Sequence, residues 1–118
     1  MHGVGLDLLD IARLERALVR RPRLAQRLFS DGELAYARAH ARPGQHLAAR
    51  FCAKEAVTKA LGLDVLRPLE IEVVRDPSGR PSVELAGAAA VRARELGTTV
   101  LVTLTHTGVT AGAVAVAA

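Results

Sequence analysis

The spacing of apolar positions changes several times along the chain, and each change marks a new element. Residues 3–9 set valine and leucines around two glycines and predict a short strand. From Ile11 to about Arg20, Leu14 and Leu18 share one helical face, with Asp10 placed to cap the start. Pro22 breaks that run, and a short helical stretch follows from Arg23 to Phe29. Ser30-Asp31-Gly32-Glu33 has the spacing of a capping box and opens a third helix to about His40. Arg42-Pro43-Gly44 reads as a loop. A long helix is predicted from Gln45 to Leu61, stopped near Gly62. Glu70 to Arg75 alternates as a strand, Asp76-Pro77-Ser78-Gly79 makes a turn, and Pro81 to Leu85 returns as its partner. Ala88 to Leu96 forms an alanine-rich helix closed by Gly97. Two last strands, Thr98–Thr105 and Ala111–Ala117, pair as a hairpin with His106 near its tip. The expected class is α+β, a small, mainly antiparallel sheet packed by helices. With 118 residues, no repeat and no linker, the chain is expected to form one domain over 1–118.

Composition changes the picture in three ways. Half the residues are hydrophobic but only 3% are aromatic, with alanine supplying much of the apolar count. A core of small side chains buries little area per residue, so support from a second subunit is expected. The formal charge of +4 suits an anionic partner, whether a phosphorylated substrate, a nucleic acid or an acidic protein. Cys52 is the only cysteine, which excludes an internal disulfide and points to a reducing compartment; in its apolar run it reads as a core residue. The start lacks the basic and apolar regions of a secretory signal, and no apolar run approaches the ~20 residues of a membrane span. A soluble cytoplasmic protein is expected.

Candidate chemistry concentrates on the long helix. On a helical wheel Ala49, Cys52, Ala53, Ala56, Val57 and Ala60 share a broad face. Arg50, Lys54 and Thr58 form one stripe and Glu55 and Lys59 another, with Leu47 and Phe51 among them. Charges standing among large apolar groups cost free energy unless they are paired or bind something. Lys54 and Lys59 are the only lysines of an arginine-rich chain, and lysine offers a compact charge suited to phosphate. Glu55 and Lys59 also fit an ordinary i,i+4 helix pair. Asp7, near the end of the first strand, is either functional or paired with a basic neighbour. Brought together, Asp7 and Glu55 repel unless a cation lies between them, and oxygen ligands beside a basic phosphate pocket favour magnesium. His106 is placed to contact phosphate, transfer a proton, ligate a metal or serve structure near the hairpin tip. Arg13, Arg16, Arg20, Arg23 and Arg27 follow three-four spacing, either a docking face for an acidic partner or a solvated face. There is no phosphate-loop motif, and Leu8 leaves the Gly3/Gly5 pair short of a dinucleotide fingerprint.

In order, these segments resemble the holo-acyl-carrier-protein synthases, the short single-domain class of 4′-phosphopantetheinyl transferases. Gly3-Val4-Gly5-Leu6-Asp7 is similar to the opening G-[IV]-G-x-D motif, and Arg50 through Ala60 to the signature R-F-A-A-K-E-A-x-x-K-A. Asp76 through Pro81 resembles the hairpin ending G-[KR]-P, and Thr103-Leu104-Thr105-His106-Thr107 the S-[IL]-[ST]-H segment. Cys52, Ala49 and Thr103 stand where alanine, glycine and serine are common in the family. The resemblance implies transfer of the phosphopantetheine arm of coenzyme A to a serine of an acyl carrier protein, in fatty-acid or polyketide synthesis. It implies Mg²⁺ held by Asp7 and Glu55, with Lys59, Arg50 and Lys54 binding phosphate oxygens. It places Arg80, Thr105 and His106 at the nucleotide end, and leaves a direct part in the reaction open to His106. It assigns Arg13, Arg20, Arg23, Leu24 and Arg27 to the carrier protein, and implies a homotrimer with sites between subunits.

Two other classes compete. A basic module binding RNA or DNA would need stacking aromatics on a basic face, and Phe29, Tyr36 and Phe51 are few and scattered. A magnesium-dependent nucleotide hydrolase would use the same two acids on water, and would release bisphosphate from coenzyme A with no carrier present.

Overall fold

In the computed structural model, which describes residues 1–118 throughout, two glycines determine how the first strand meets the longest helix. Strand β1 (Gly3–Asp10) lies against helix α4 (Pro43–Ala60). A methyl group built on Gly3 would fall 2.1 Å from the Ala60 carbonyl oxygen, and one on Gly5 1.9 Å from that of Ala56. Only hydrogen fits at either position. Two strand residues rise about 6.7 Å and four helical residues about 6.0 Å, so strand and helix stay in step as they run past each other in opposite directions.

Between them come α1 (Ile11–Arg20), α2 (Leu24–Leu28) and α3 (Asp31–Arg38). Their starts are encoded locally: the Asp10 side chain accepts from the Arg13 N–H, and Ser30 and Glu33 form the expected capping box. After α4 a 3₁₀ turn (Pro68–Glu70) leads to the hairpin β2 (Ile71–Arg75) and β3 (Pro81–Leu85). Helix α5 (Gly87–Leu96) ends on Gly97, whose φ of 61° is the left-handed cap that glycine adopts without strain. Strands β4 (Val100–His106) and β5 (Thr110–Ala117) complete the chain. The strands divide into two antiparallel sheets, β1-β5-β4 and β2-β3, where the sequence suggested one. Pro43 and Gly44, expected in a loop, form the first turn of α4. Proline at the first helical position lacks only an N–H that has no intrahelical partner there, and its φ is already helical.

Helix α4 is the axis of the core. Ala48, Ala49, Cys52, Ala53, Ala56, Val57 and Ala60 are buried, and Ala111, Ala113, Ala115 and Ala117 of β5 are buried on the facing side. Small residues on both surfaces let helix and sheet approach closely, which is what the alanine-rich composition achieves. The opposite face of the three-stranded sheet is apolar and open: Val4, Leu6, Leu8 and Leu101 are each more than half exposed. No helix is long and apolar enough to cross a membrane.

Candidate active site

Asp7 follows Gly5 by two residues and lies on the same face of β1, so the glycine contact with α4 carries its carboxylate to the helix. There it meets Glu55. Burial first, and then the charge of Asp7, raise the Glu55 carboxyl above its ordinary value, while Lys59 pulls it back. Lys59 Nζ donates to the Leu6 carbonyl at 2.9 Å and stands 3.5 Å from Asp7 Oδ1. Cys52 lies beneath the two acids, fully buried, and burial together with Asp7 and Glu55 pushes its thiol up to about 12. No third histidine, cysteine or acid completes a metal-binding group. Two carboxylates are too few for a dedicated cage, but they fit Mg²⁺, which takes one or two from the protein and the rest from substrate phosphates and water. Burial is the larger cause of the raised Glu55, and the like charge of Asp7 adds a part that a cation at this position would relieve.

A second, cationic feature lies elsewhere. His46, Ala49, Arg50, Arg75, Pro81, Leu104 and His106 line a hollow of about 180 Å³ that contains no acid. Arg50 is only 4% exposed, its Nε has no hydrogen-bond partner, and burial pulls its pKa down. The rings of His46 and His106 are 5.9 Å apart, and those of His40 and His46 4.2 Å. Pro81 also lines an adjoining groove of about 490 Å³, with Asp76, Arg80, Ser82 and Val100–Thr103. Thr105 is exposed on β4.

The acidic and cationic features do not meet within one chain. Asp7, Ala113 and Leu104 form one row across the sheet. At about 4.8 Å per strand, Asp7 and Leu104 are roughly 10 Å apart, and His106 is two residues further along β4. Arg50 and Glu55 differ by about 140° around α4.

Lys54 must be corrected. It was expected beside a phosphate, but its side chain is fully enclosed. Nζ donates to Glu33 Oε1 at 2.8 Å and to the carbonyls of Pro68 at 2.7 Å and Ile71 at 2.8 Å. All three N–H groups are spent, so none remains for a ligand. Thr58, one turn on, is also buried and bonds back to the Lys54 carbonyl.

The family model of the 4′-phosphopantetheinyl transferase superfamily matches residues 3–111. The chain belongs to that superfamily. The holo-[acyl-carrier-protein] synthase of Moorella thermoacetica is 49% identical to this transferase, over 98% of this chain and 92% of its own. The crystal structure of holo-[acyl-carrier-protein] synthase from Neisseria meningitidis superposes with a TM-score of 0.89 at 27% identity, covering 100% of this chain and 98% of that one. The Chronobacterium ammoniagenes ACPS–CoA complex superposes with a TM-score of 0.84 at 29% identity, covering 96% and 93%. Those relatives place the transferase among the holo-[acyl-carrier-protein] synthases.

The arginines expected at a docking face are all exposed: Arg13, Arg16 and Arg20 on α1, Arg23 and Arg27 at α2. None takes part in an ion pair. Arg21, Pro22, Arg23, Leu24 and Arg27 line a shallow basic hollow of about 270 Å³. Sequence reasoning missed His46, Arg75 and Tyr36 around the cationic hollow. His46 carried a signal, four residues before Arg50 on the same helix; Arg75 and Tyr36 come from other elements and carried none.

Proposed function

We propose that this transferase moves the 4′-phosphopantetheine arm of coenzyme A to a serine of an apo acyl carrier protein, with Mg²⁺, releasing adenosine 3′,5′-bisphosphate. The observation that carries this reading is the convergence of Asp7 and Glu55 beside Lys59, at the seam where β1 touches α4. Asp7 and Glu55 hold Mg²⁺, which when bound offsets charge on the diphosphate. Lys59, on the rim of the site, neutralises phosphate oxygens. Glu55 accepts the proton of the carrier serine. The serine oxygen then bonds to the phosphorus bearing the pantetheine arm. The bond to the bridging oxygen breaks, and the bisphosphate leaves with that oxygen.

The cationic hollow with Arg50 and His106 receives the phosphate-rich nucleotide end, Arg80 and Thr105 flank it, and the exposed arginines with Leu24 dock the acidic carrier. Two features support a homotrimer with sites between subunits: the acidic and cationic features are apart in one chain, and the outer face of the sheet is apolar and uncovered. The free thiol of Cys52 fits a cytoplasmic enzyme. Intact mass of an apo carrier, after incubation with enzyme, coenzyme A and Mg²⁺, should rise by one phosphopantetheine. An unmodified carrier, or bisphosphate release from coenzyme A alone, would overturn the reaction. A monomer in analytical ultracentrifugation would remove the trimer.

A further inference from the structure

Arg50 presents a problem that the site chemistry does not solve. Its guanidinium is almost wholly buried on α4, yet no carboxylate pairs with it. A buried cation of this kind needs compensation. The face of Tyr36, on α3, supplies it: Arg50 Cζ stands 3.9 Å from the ring centroid. The same ring takes Arg75 of β2, with Cζ at 4.8 Å, and Arg75 also donates to the Tyr36 hydroxyl. One phenol therefore holds two guanidinium groups from two different elements, and both line the cationic hollow.

An uncharged holder has a physical consequence. An aspartate or glutamate at this position would fix both arginines more firmly, but its charge would cancel the field that an anionic ligand needs. An aromatic face orients cations and leaves their net charge intact. The placement of Tyr36 is itself secured by the core. Glu33, one turn earlier on α3, is tied to the buried Lys54 and to the Val73 N–H, so α3 cannot shift along α4.

We infer that Tyr36 is a positioning residue for the substrate: it aligns Arg50 and Arg75 as a paired receptor for the phosphate-rich end of coenzyme A. The inference rests on the proposal that this hollow receives that end.

Single and combined variants of the full chain test it by calorimetric titration with coenzyme A and by steady-state kinetics. Arg50→Met should weaken coenzyme A binding. Tyr36→Leu should weaken it about tenfold, raising the KM for coenzyme A while kcat and the KM for the carrier stay within about twofold. Tyr36→Phe, which keeps the ring and loses the hydroxyl, should cost about threefold, and that loss should vanish in an Arg75→Met background. Combining Tyr36→Leu with Arg50→Met should bind no more weakly than Arg50→Met alone. Normal binding by Tyr36→Leu, or additive losses in the double variant, overturns the role of Tyr36 while leaving the hollow in place. Normal binding by Arg50→Met overturns the hollow and the inference together. Should Tyr36→Leu fail to fold, Tyr36→Phe decides: binding equal to wild type rejects the inference.

Discussion

Replacing Lys54 with methionine separates a structural lysine from a phosphate-binding one. Methionine keeps most of the apolar stem and removes the ammonium. The substitution removes one donor from each of three acceptors at once: Glu33 Oε1 and the carbonyls of Pro68 and Ile71. The Glu33 carboxylate keeps its bonds from the Ser30 and Val73 N–H groups, but it loses its only ion-pair partner. Breaking a buried pair from one side costs about 3–5 kcal/mol. Against a total of about 5–15 kcal/mol, that is a large share of the stability. For a domain of this size it corresponds to a fall of about 12–20 °C in melting temperature. Glu33→Gln should also destabilise, because one amide cannot accept from Lys54 and from the Val73 N–H together. The double variant buries no charge, so its loss should fall short of the summed single losses by about 2 kcal/mol or more. Urea unfolding followed by circular dichroism gives all three values. The reasoning fails if Lys54→Met loses less than about 1 kcal/mol while its KM for coenzyme A rises sharply. That result would return Lys54 to the phosphate.

Glu55→Gln should abolish transfer yet raise the melting temperature in EDTA. The folded state holds the Glu55 carboxyl above its ordinary value, so the ionised group costs the fold stability once pH exceeds that of free glutamate; an unchanged or lower melting temperature would contradict this. Gly5→Ala should cost about 3 kcal/mol or more, because its methyl would meet the Ala56 carbonyl and force β1 off α4, parting Asp7 from Glu55. A variant with normal stability and activity would refute the seam. Burial, followed by the charges of His40, Arg50, His106 and Arg75, lowers the pKa of His46, so the unfolded chain takes up that proton first. Stability should therefore decline as pH falls below about 6.5, and less steeply in His46→Gln, as judged by melting curves at neutral and mildly acidic pH. Arg20→Glu should raise the KM for the carrier and leave coenzyme A binding unchanged; equal carrier KM values would reject the docking face.

What the sequence determined by itself was what neighbouring residues determine for one another. The Asp10 cap, the Ser30–Glu33 box and the Gly97 stop act within a few residues, and each element they bound lies where periodicity put it. The Gly3/Gly5 spacing was visible too, but its purpose was not, because the carbonyls that require it belong to a helix more than fifty residues away. The wheel of α4 put Lys54 on a face, and no wheel can say what covers a face. Only the folding of α3 and β2 over that side turned a candidate phosphate ligand into a core ion pair. Tyr36 and Arg75, scattered along the chain, likewise became a unit with Arg50 only through packing. The approach of Asp7 to Glu55 belongs to both accounts: the residue types were written in the motifs, while the distance between them depends on two hydrogens where side chains would collide.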